Sequence, residues 1–461
     1  MEIIKQEHPE YRAQAAVLRR YSDLYAGGEQ LKERAAEYLA RRQKEPQDVY
    51  GERLSRVFYE NYAGSIIDWY AATLFKREPV LNFEGEESRG RNYFSSFTED
   101  CDMRGTSFAG MLQQQFVSAL VHGKSYLLVD FPKATVQPLT RAQEDEYGLS
   151  RAYVVNYSAQ DLVNWSVDEH GVYEWAVLRQ VNPHRVLPDG RVAVETRWLY
   201  FDRETYRVYK SLKEGTGESE PELIDEGAHG LSGLHTVPLF ELKVSEGLWL
   251  MNKAALLQLE HFNKSNALGY ALSMGLFAMP VVYTERDWQQ MVGESYYLQL
   301  GPQDRFGWTE PEGKVFQIAA QNLTRLQEEI YRICYLLHQS SGVHSSGFSQ
   351  SGLSKQRDFS VTMEVLRAYG DVVKDYAKKI LRTINAARAD GLEIGVSGMD
   401  DFDIGEFSND LGDAERLLQL GVESPTLKAE IFKKLAGKYL CDARQGVKDQ
   451  INREIEASLF G

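Results

Sequence analysis

The chain has 461 residues, 43% hydrophobic and 26% charged, an ordinary globular composition with length for roughly two to four structural units. Its formal net charge of −15 excludes simple sequence-independent wrapping of DNA, which needs Lys and Arg to displace counterions, but not a protein past which DNA slides. Cys101, Cys334 and Cys441 lie far apart with no CxxC, so they read as reduced thiols, and the charged start "MEIIKQEHPEYRAQ" predicts no signal peptide.

In chain order, residues 10–48 read as charged helix broken at Gly27–Gly28, and "YGERLSRVFYENYAGSIIDWYAATLFKREP" as one long helix ended by Pro79. A third helix is expected from Ser107 to Gly123, with the strand "SYLLVDF" directly after it. From Tyr153 to Lys243 the pattern is β-branched and aromatic, with turns at "DEHG" and "PDG". The chain turns helical again at Leu248. A small α/β unit follows: strand "MPVVYT", helix "ERDWQQMVG", strand "YYLQLG", then "FGWTEPEGKVFQI". A helix from Ala319 to Gln339 leads into a Ser/Gly-rich stretch.

After that stretch comes a very long helix whose apolar seam runs through Phe359, Met363, Leu366, Tyr369, Val373, Tyr376, Ile380 and Ile384. A seam of that length is too long for one small core and predicts that part of it packs against a second copy of the chain. An acidic run from Glu393 to Glu415 precedes short terminal helices, and its part "MDDFDIGEFSNDLGD" reads as a solvated connector. The fold class is α+β, and the chain contains no internal repeat.

The Ser/Gly stretch "SSGVHSSGFSQSGLSK" (Ser340–Lys355) nearly spells a phosphate loop. Leu353 and Ser354 follow Gly352 where Lys and Ser or Thr are required, and a helical pattern precedes it instead of a strand, so it is not read as a nucleotide site. A loop of this length between helices is functional or disordered. The acidic "MDDFDIGEFSNDLGD" fits no register of a calcium loop, because Gly405 falls at position 5 when Asp401 is position 1. The nine histidines are scattered, with no HExxH and no Ser–His–Asp suggestion. No catalytic residue, metal or cofactor is therefore expected. The uncharged run Ser265–Thr284 is long enough for a membrane span, but Pro280 and its change from helical to strand-like character favour buried helix plus strand.

Several segments, met in the same order, resemble portal proteins of tailed double-stranded DNA bacteriophages, in a siphophage-type branch. They are "RGTSFAGMLQQQFVSALVHGKSYLLVDFP", "YVVNYSAQDLVNW", and "LLQLEHFNKSNAL" followed by "MPVVY". The likeness runs over most of Tyr50 to Ala387. It implies a non-enzymatic ring of about twelve subunits at one capsid vertex, a head–tail connector. Such a ring passes DNA during packaging and ejection and docks the terminase large subunit and a head–tail adaptor, with major capsid and scaffolding proteins as further neighbours. It would belong to the virion and, during assembly, to the host cytoplasm, with no membrane contact.

By this resemblance residues 1–247 form the wing, 248–275 a stem helix, 276–318 the clip, 319–339 a second stem helix, 340–354 the tunnel loop, 355–391 the long wing helix and 392–461 the crown. The tunnel loop and helix root put Val343, His344, Ser346, Phe348, Ser349, Gln350, Leu353, Lys355 and Arg357 at the DNA channel. Ser and Gln would bond phosphate without fixed charge, Gly would let the loop bend, and Lys355 and Arg357 are the expected phosphate contacts. Trp288, Phe306 and Trp308 in the clip are expected at the partner-docking surface. A membrane channel, or a hydrolase or nuclease with weak motifs, are the alternative readings.

Overall fold

In a computed structural model, residues 2–85, 88–133, 143, 148–186, 190–214, 217–276, 279–285, 300–309, 313–336, 352–400, 407–419, 424–440 and 445–460 are described. The chain divides into two compact units, one of residues Met1–Ser22, Ile67–Asn252 and Gly352–Gly461, the other of Asp23–Ile66 and Lys253–Ser351.

The chain opens with α1 (Glu2–Lys5), α2 (Pro9–Ala26), α3 (Gly28–Glu33), α4 (Ala35–Tyr38), α5 (Gln47–Ser55) and α6 (Tyr62–Leu74). Gly27 and Gly28 take φ of 58° and 51°, left-handed backbone that glycine enters without a Cβ clash, and α2 ends there as its sequence requires.

The first unit is built on two antiparallel sheets. β2 (Lys124–Asp130) pairs on one side with β3 (Tyr153–Ser158) and on the other with β10 (Leu239–Lys243). A six-stranded sheet contains β4 (Leu162–Val167), β5 (Tyr173–Val186), β6 (Val192–Asp202), β7 (Thr205–Glu214), β8 (Gly217–Glu218) and β9 (Glu222–Ala228), with β8 and β9 both paired to β7. Side chains alternate across this sheet. Ala176, Leu178, Phe201 and Tyr206 join Tyr126, Leu128 and Tyr157 of the smaller sheet in one core. Val177 and Tyr209 turn the other way and pack with Ile4 and Tyr11 of α1 and α2.

Two further helices of this unit, α7 (Ser88–Glu99) and α8 (Phe108–His122), precede β2. Ser107 caps α8, its hydroxyl accepting from the Gly110 N–H, and Gly123 closes it at φ 82°. β1 (Val80–Glu84) pairs with β13 (Glu393–Ser397), ahead of the segment read as a connector, and that segment is helical from Phe407 on. The strand forms because Ile394 alternates inward, 2% exposed, and β1 offers it a ladder.

The remaining helices are α9 (Leu250–Leu276), α10 (Gly313–Ile333), α11 (Gly352–Arg388), α12 (Phe407–Gln419), α13 (Pro425–Tyr439) and α14 (Gln445–Phe460). The hairpin of β11 (Met279–Tyr283) and β12 (Arg305–Thr309) lies between α9 and α10. Helical α10 thus begins at Gly313, six positions before the expected Ala319. Helix and strand also split the uncharged Ser265–Thr284 run as expected, and among the described residues no helix is long and apolar enough to cross a membrane. Separate antiparallel sheets and helices make the fold α+β.

The described seam of α11 turns into its own unit. Met363, Leu366, Tyr369, Val373, Tyr376, Ile380 and Ile384 are all buried within this chain. The Tyr369 ring meets Tyr70 and Phe116 edge-on at 5.6 and 5.1 Å, and its hydroxyl donates to the Leu248 carbonyl at 2.5 Å. Tyr376 donates to the Phe240 carbonyl at 3.3 Å. Where it is described, the seam is covered by α8, β10 and β13 of the same chain. The side chain of Phe359 lies outside the described residues.

The long helix expected from Tyr50 to Pro79 is two helices, α5 and α6, with a non-helical link from Arg56 to Asn61. Two buried amides of α9 explain the break in the second unit. Gln258 accepts from the Ala63 N–H at 3.1 Å and donates to the Glu60 carbonyl at 2.7 Å. Asn266 accepts from the Phe58 N–H at 3.1 Å and donates to its carbonyl at 2.9 Å. Side chains thus replace the backbone bonds that a continuous helix would make. Gln258→Leu leaves the Ala63 N–H and Glu60 carbonyl without this partner, and thermal unfolding should register a loss of about 1–3 kcal/mol. An unchanged melt would show that the amide does not hold the link.

Candidate functional site

The Ser/Gly segment joins the end of α10 to the start of α11, and residues 337–351 lie outside the described residues. Val343, His344, Ser346, Phe348, Ser349 and Gln350 fall there. Leu353, Lys355 and Arg357 stand in the first turns of α11, where the backbone is helical and the side chains are outside the description. Structure therefore places the last three on one helix root and brings none of the nine into a described contact.

The α10 side of the segment is described in detail. Leu326 and Ile330 bury the inner face of α10, and Cys334 follows at 1% exposure. The helix then closes: Cys334 N–H bonds the Ile330 carbonyl at 3.3 Å and Leu336 N–H bonds the Tyr331 carbonyl at 2.9 Å. Tyr335 turns the chain at φ 63°. Lys253, near the start of α9, donates to the Tyr335 hydroxyl at 2.5 Å and lies 4.3 Å above its ring. This clamp fixes the backbone from which the segment departs. Burial pushes the Cys334 thiol up to about 12, so it stays protonated and unreactive at neutral pH. Cys101 is likewise a free buried thiol raised to about 12, chiefly by desolvation, while Cys441 lies outside the described residues. Nothing in the local sequence pairs Lys253 with Tyr335, 82 positions apart.

In the hairpin, Phe306 is half-buried on β12 opposite Val282, and Trp308 stands opposite Pro280. For Trp308 the backbone alone is described, and Trp288 is outside the described residues. The ladder places Phe306 and Trp308 two residues apart on one strand.

One arrangement had no signal in the sequence. Ser22 Oγ and His122 Nε2 are 2.8 Å apart, and His122 Nδ1 is 3.2 Å from the Ser118 carbonyl. With Nδ1–H donating to that carbonyl, Nε2 accepts from the Ser22 hydroxyl, and the Gln160 amide donates to Ser22 Oγ. The contact resembles a nucleophile–base pair. Burial pushes His122 down to about 4, which leaves a weak base, and the third partner is a neutral amide where a carboxylate would orient and charge the ring. The cluster ties α2, α8 and the β3–β4 turn of the first unit and carries no catalytic argument. Among the described residues no group of His, Cys, Asp and Glu is placed to hold a metal.

No family model matches the sequence, and no curated protein matches it. Solved structures with some likeness include two chains of a gene transfer agent, a native virion at 12% identity and a neck of the empty particle computed with C6 symmetry at 13%. Both have a TM-score of 0.43 and cover 84% of this chain and 93% of the other. A third, from the neck of the native particle with C12 symmetry, has a TM-score of 0.39 at 12% identity, covering 81% and 89%. Likeness of this degree assigns the chain no family.

Proposed function

We propose that the chain is a portal-type subunit, a phage-like head–tail component that assembles into a ring of about twelve copies. The carrying observation is the order of elements: α9, the β11–β12 hairpin, α10, the Ser/Gly segment and the 37-residue α11. This is the stem, clip, stem, tunnel loop and wing helix order of the family whose segments the sequence resembles. In this reading the Ser/Gly segment lines a channel for DNA packaging and ejection, and the hairpin with Trp288, Phe306 and Trp308 docks the terminase and later the adaptor. The chain itself performs no hydrolysis. The formal charge of −15 suits a wall from which DNA is readily released.

Mass photometry and negative-stain images of purified protein test the reading, and a closed ring with a central hole is expected. Monomers or dimers at every concentration and salt would overturn it. Within such a ring, replacing Ser346, Ser349 and Gln350 together by Lys adds three cations per subunit. Packaging should slow, and the slowing should weaken steeply with added salt. Packaging at the parent rate would remove the segment from the channel.

A further inference from the structure

We propose that β9 is a docking strand, whose open margin takes a basic, extended polypeptide segment as an added strand. β9 closes the six-stranded sheet. It pairs with β7 on one side, and among the described residues no strand pairs its other side. No other described backbone group bonds to that margin either. In an antiparallel ladder alternate residues turn N–H and C=O away from the partner strand, so β9 presents donors and acceptors to an incoming chain. Main-chain bonds of this kind recognise a polypeptide.

Charge selects which polypeptide. The stretch "GESEPELIDEGA", residues 217–228, holds five carboxylates, Glu218, Glu220, Glu222, Asp225 and Glu226, and no Lys or Arg. Neighbouring cations satisfy only part of it. Lys133 bonds Asp225, which also accepts from the Tyr206 hydroxyl at 3.1 Å, and Lys5 bonds Glu220. Lys210 stands opposite Glu222, but its ammonium lies 3.2 Å from the buried Glu195. Arg207 reaches Glu226 only at 3.8 Å, and the Glu226 side chain stays 62% exposed. Glu222 and Glu226 therefore keep capacity for a partner's cations.

The register fixes where the partner's side chains fall. Glu222 and Asp225 stand opposite Lys210 and Val208 on one face of the sheet, while Leu223 and Glu226 stand opposite Tyr209 and Arg207 on the other. Ile224 is the bulged residue and opposes no β7 residue. Leu223 and Ile224 are 42% and 47% exposed. A segment alternating cations with apolar residues meets carboxylates on the first face and Leu223 on the second. The same carboxylates set like charges against a second copy of β9, against acidic segments and against nucleic acid, so the charge that guards the edge also chooses its partner. The site does not depend on ring formation.

The test is fluorescence anisotropy of the full-length protein with a labelled eight-residue peptide of alternating Lys and Val at physiological salt. Two further forms of the peptide carry N-methyl groups, one on its Lys amides and one on its Val amides. Only one of these sets of amides faces β9 in an added strand. The unmethylated peptide should bind, one methylated form should lose about tenfold or more in affinity and the other should keep most of it. Glu222→Gln with Glu226→Gln should also weaken binding about tenfold or more. Both positions are exposed, so circular dichroism should report an unchanged fold. A peptide of alternating Glu and Val should not bind. No binding of the Lys–Val peptide, equal affinity of the two methylated forms, indifference to the double replacement, or binding of the Glu–Val peptide would each overturn the proposal.

Discussion

Asp390→Ala is expected to destabilise the first unit by about 3–5 kcal/mol, because it removes one half of a buried ion pair. Arg388 Nε lies 2.6 Å from Asp390 Oδ2, and the two side chains are 3% and 2% exposed. The guanidinium also donates to the Ser150 carbonyl and lies 3.5 Å above the Tyr93 ring. Tyr93 in turn accepts from the Ala152 N–H at 3.1 Å. This cluster governs how α11 ends. Ala389 and Gly391 take φ of 53° and 67°, and the Asn385 amide brackets Leu392, so that β13 enters the ladder with β1. Chemical denaturation of Asp390→Ala beside the double replacement Arg388→Met, Asp390→Leu checks the claim. The double variant removes both charges and should lose far less. If the single variant unfolds with the parent, the pair does not hold the turn.

Lowering the pH should weaken the first unit through His122 by on the order of 3 kcal/mol. The sign follows from the two states. Unfolded, the imidazole titrates near 6.5, whereas folded it is held down to about 4 by burial. Above pH 6.5 it is neutral in both states and full stability is present. Between pH 6.5 and about 4 the unfolded chain takes up a proton that the folded one refuses, so stability falls, and below about 4 the loss levels off. The direct partners Ser22, Ser118 and Gln160 are all neutral, so no carboxylate offsets the cost. His122→Gln should flatten this part of the profile, read as the difference in melting temperature between pH 7 and pH 4.5. Part of the parent's slope should survive the substitution, because burial also lowers His229 in the same unit. Identical slopes in both proteins would show that His122 is not the group responsible.

Local chemistry was enough for much of the chain. Ser107 and Gly123 bound α8 because a hydroxyl that accepts from a first-turn N–H and a residue without Cβ act within a few positions of themselves. The β-rich run from Tyr153 to Lys243 and the apolar stripe of α11 follow from period and residue type, which need no partner to be read. The same periodicity failed where a distant side chain intervened. Leu54 to Thr73 carries a helical stripe, yet Gln258 and Asn266, about 200 positions away, take the backbone bonds between α5 and α6.

What covers an apolar stripe is also a tertiary matter. The sequence by itself determined that α11 must bury one face, but only the folded chain decided that α8 and β10 cover the described part of it. Clusters assembled across the chain were equally silent. Ser22 meets His122 and Gln160, Lys253 meets Tyr335, and Glu195 gathers Arg185 and Lys210, each through strand register or helix packing that brings residues from separate stretches of chain within 4 Å. A hydrogen bond or ion pair acts over a few ångströms of space, whereas periodicity and capping act over a few residues of chain, and only the second kind of neighbourhood is written in the order of the amino acids.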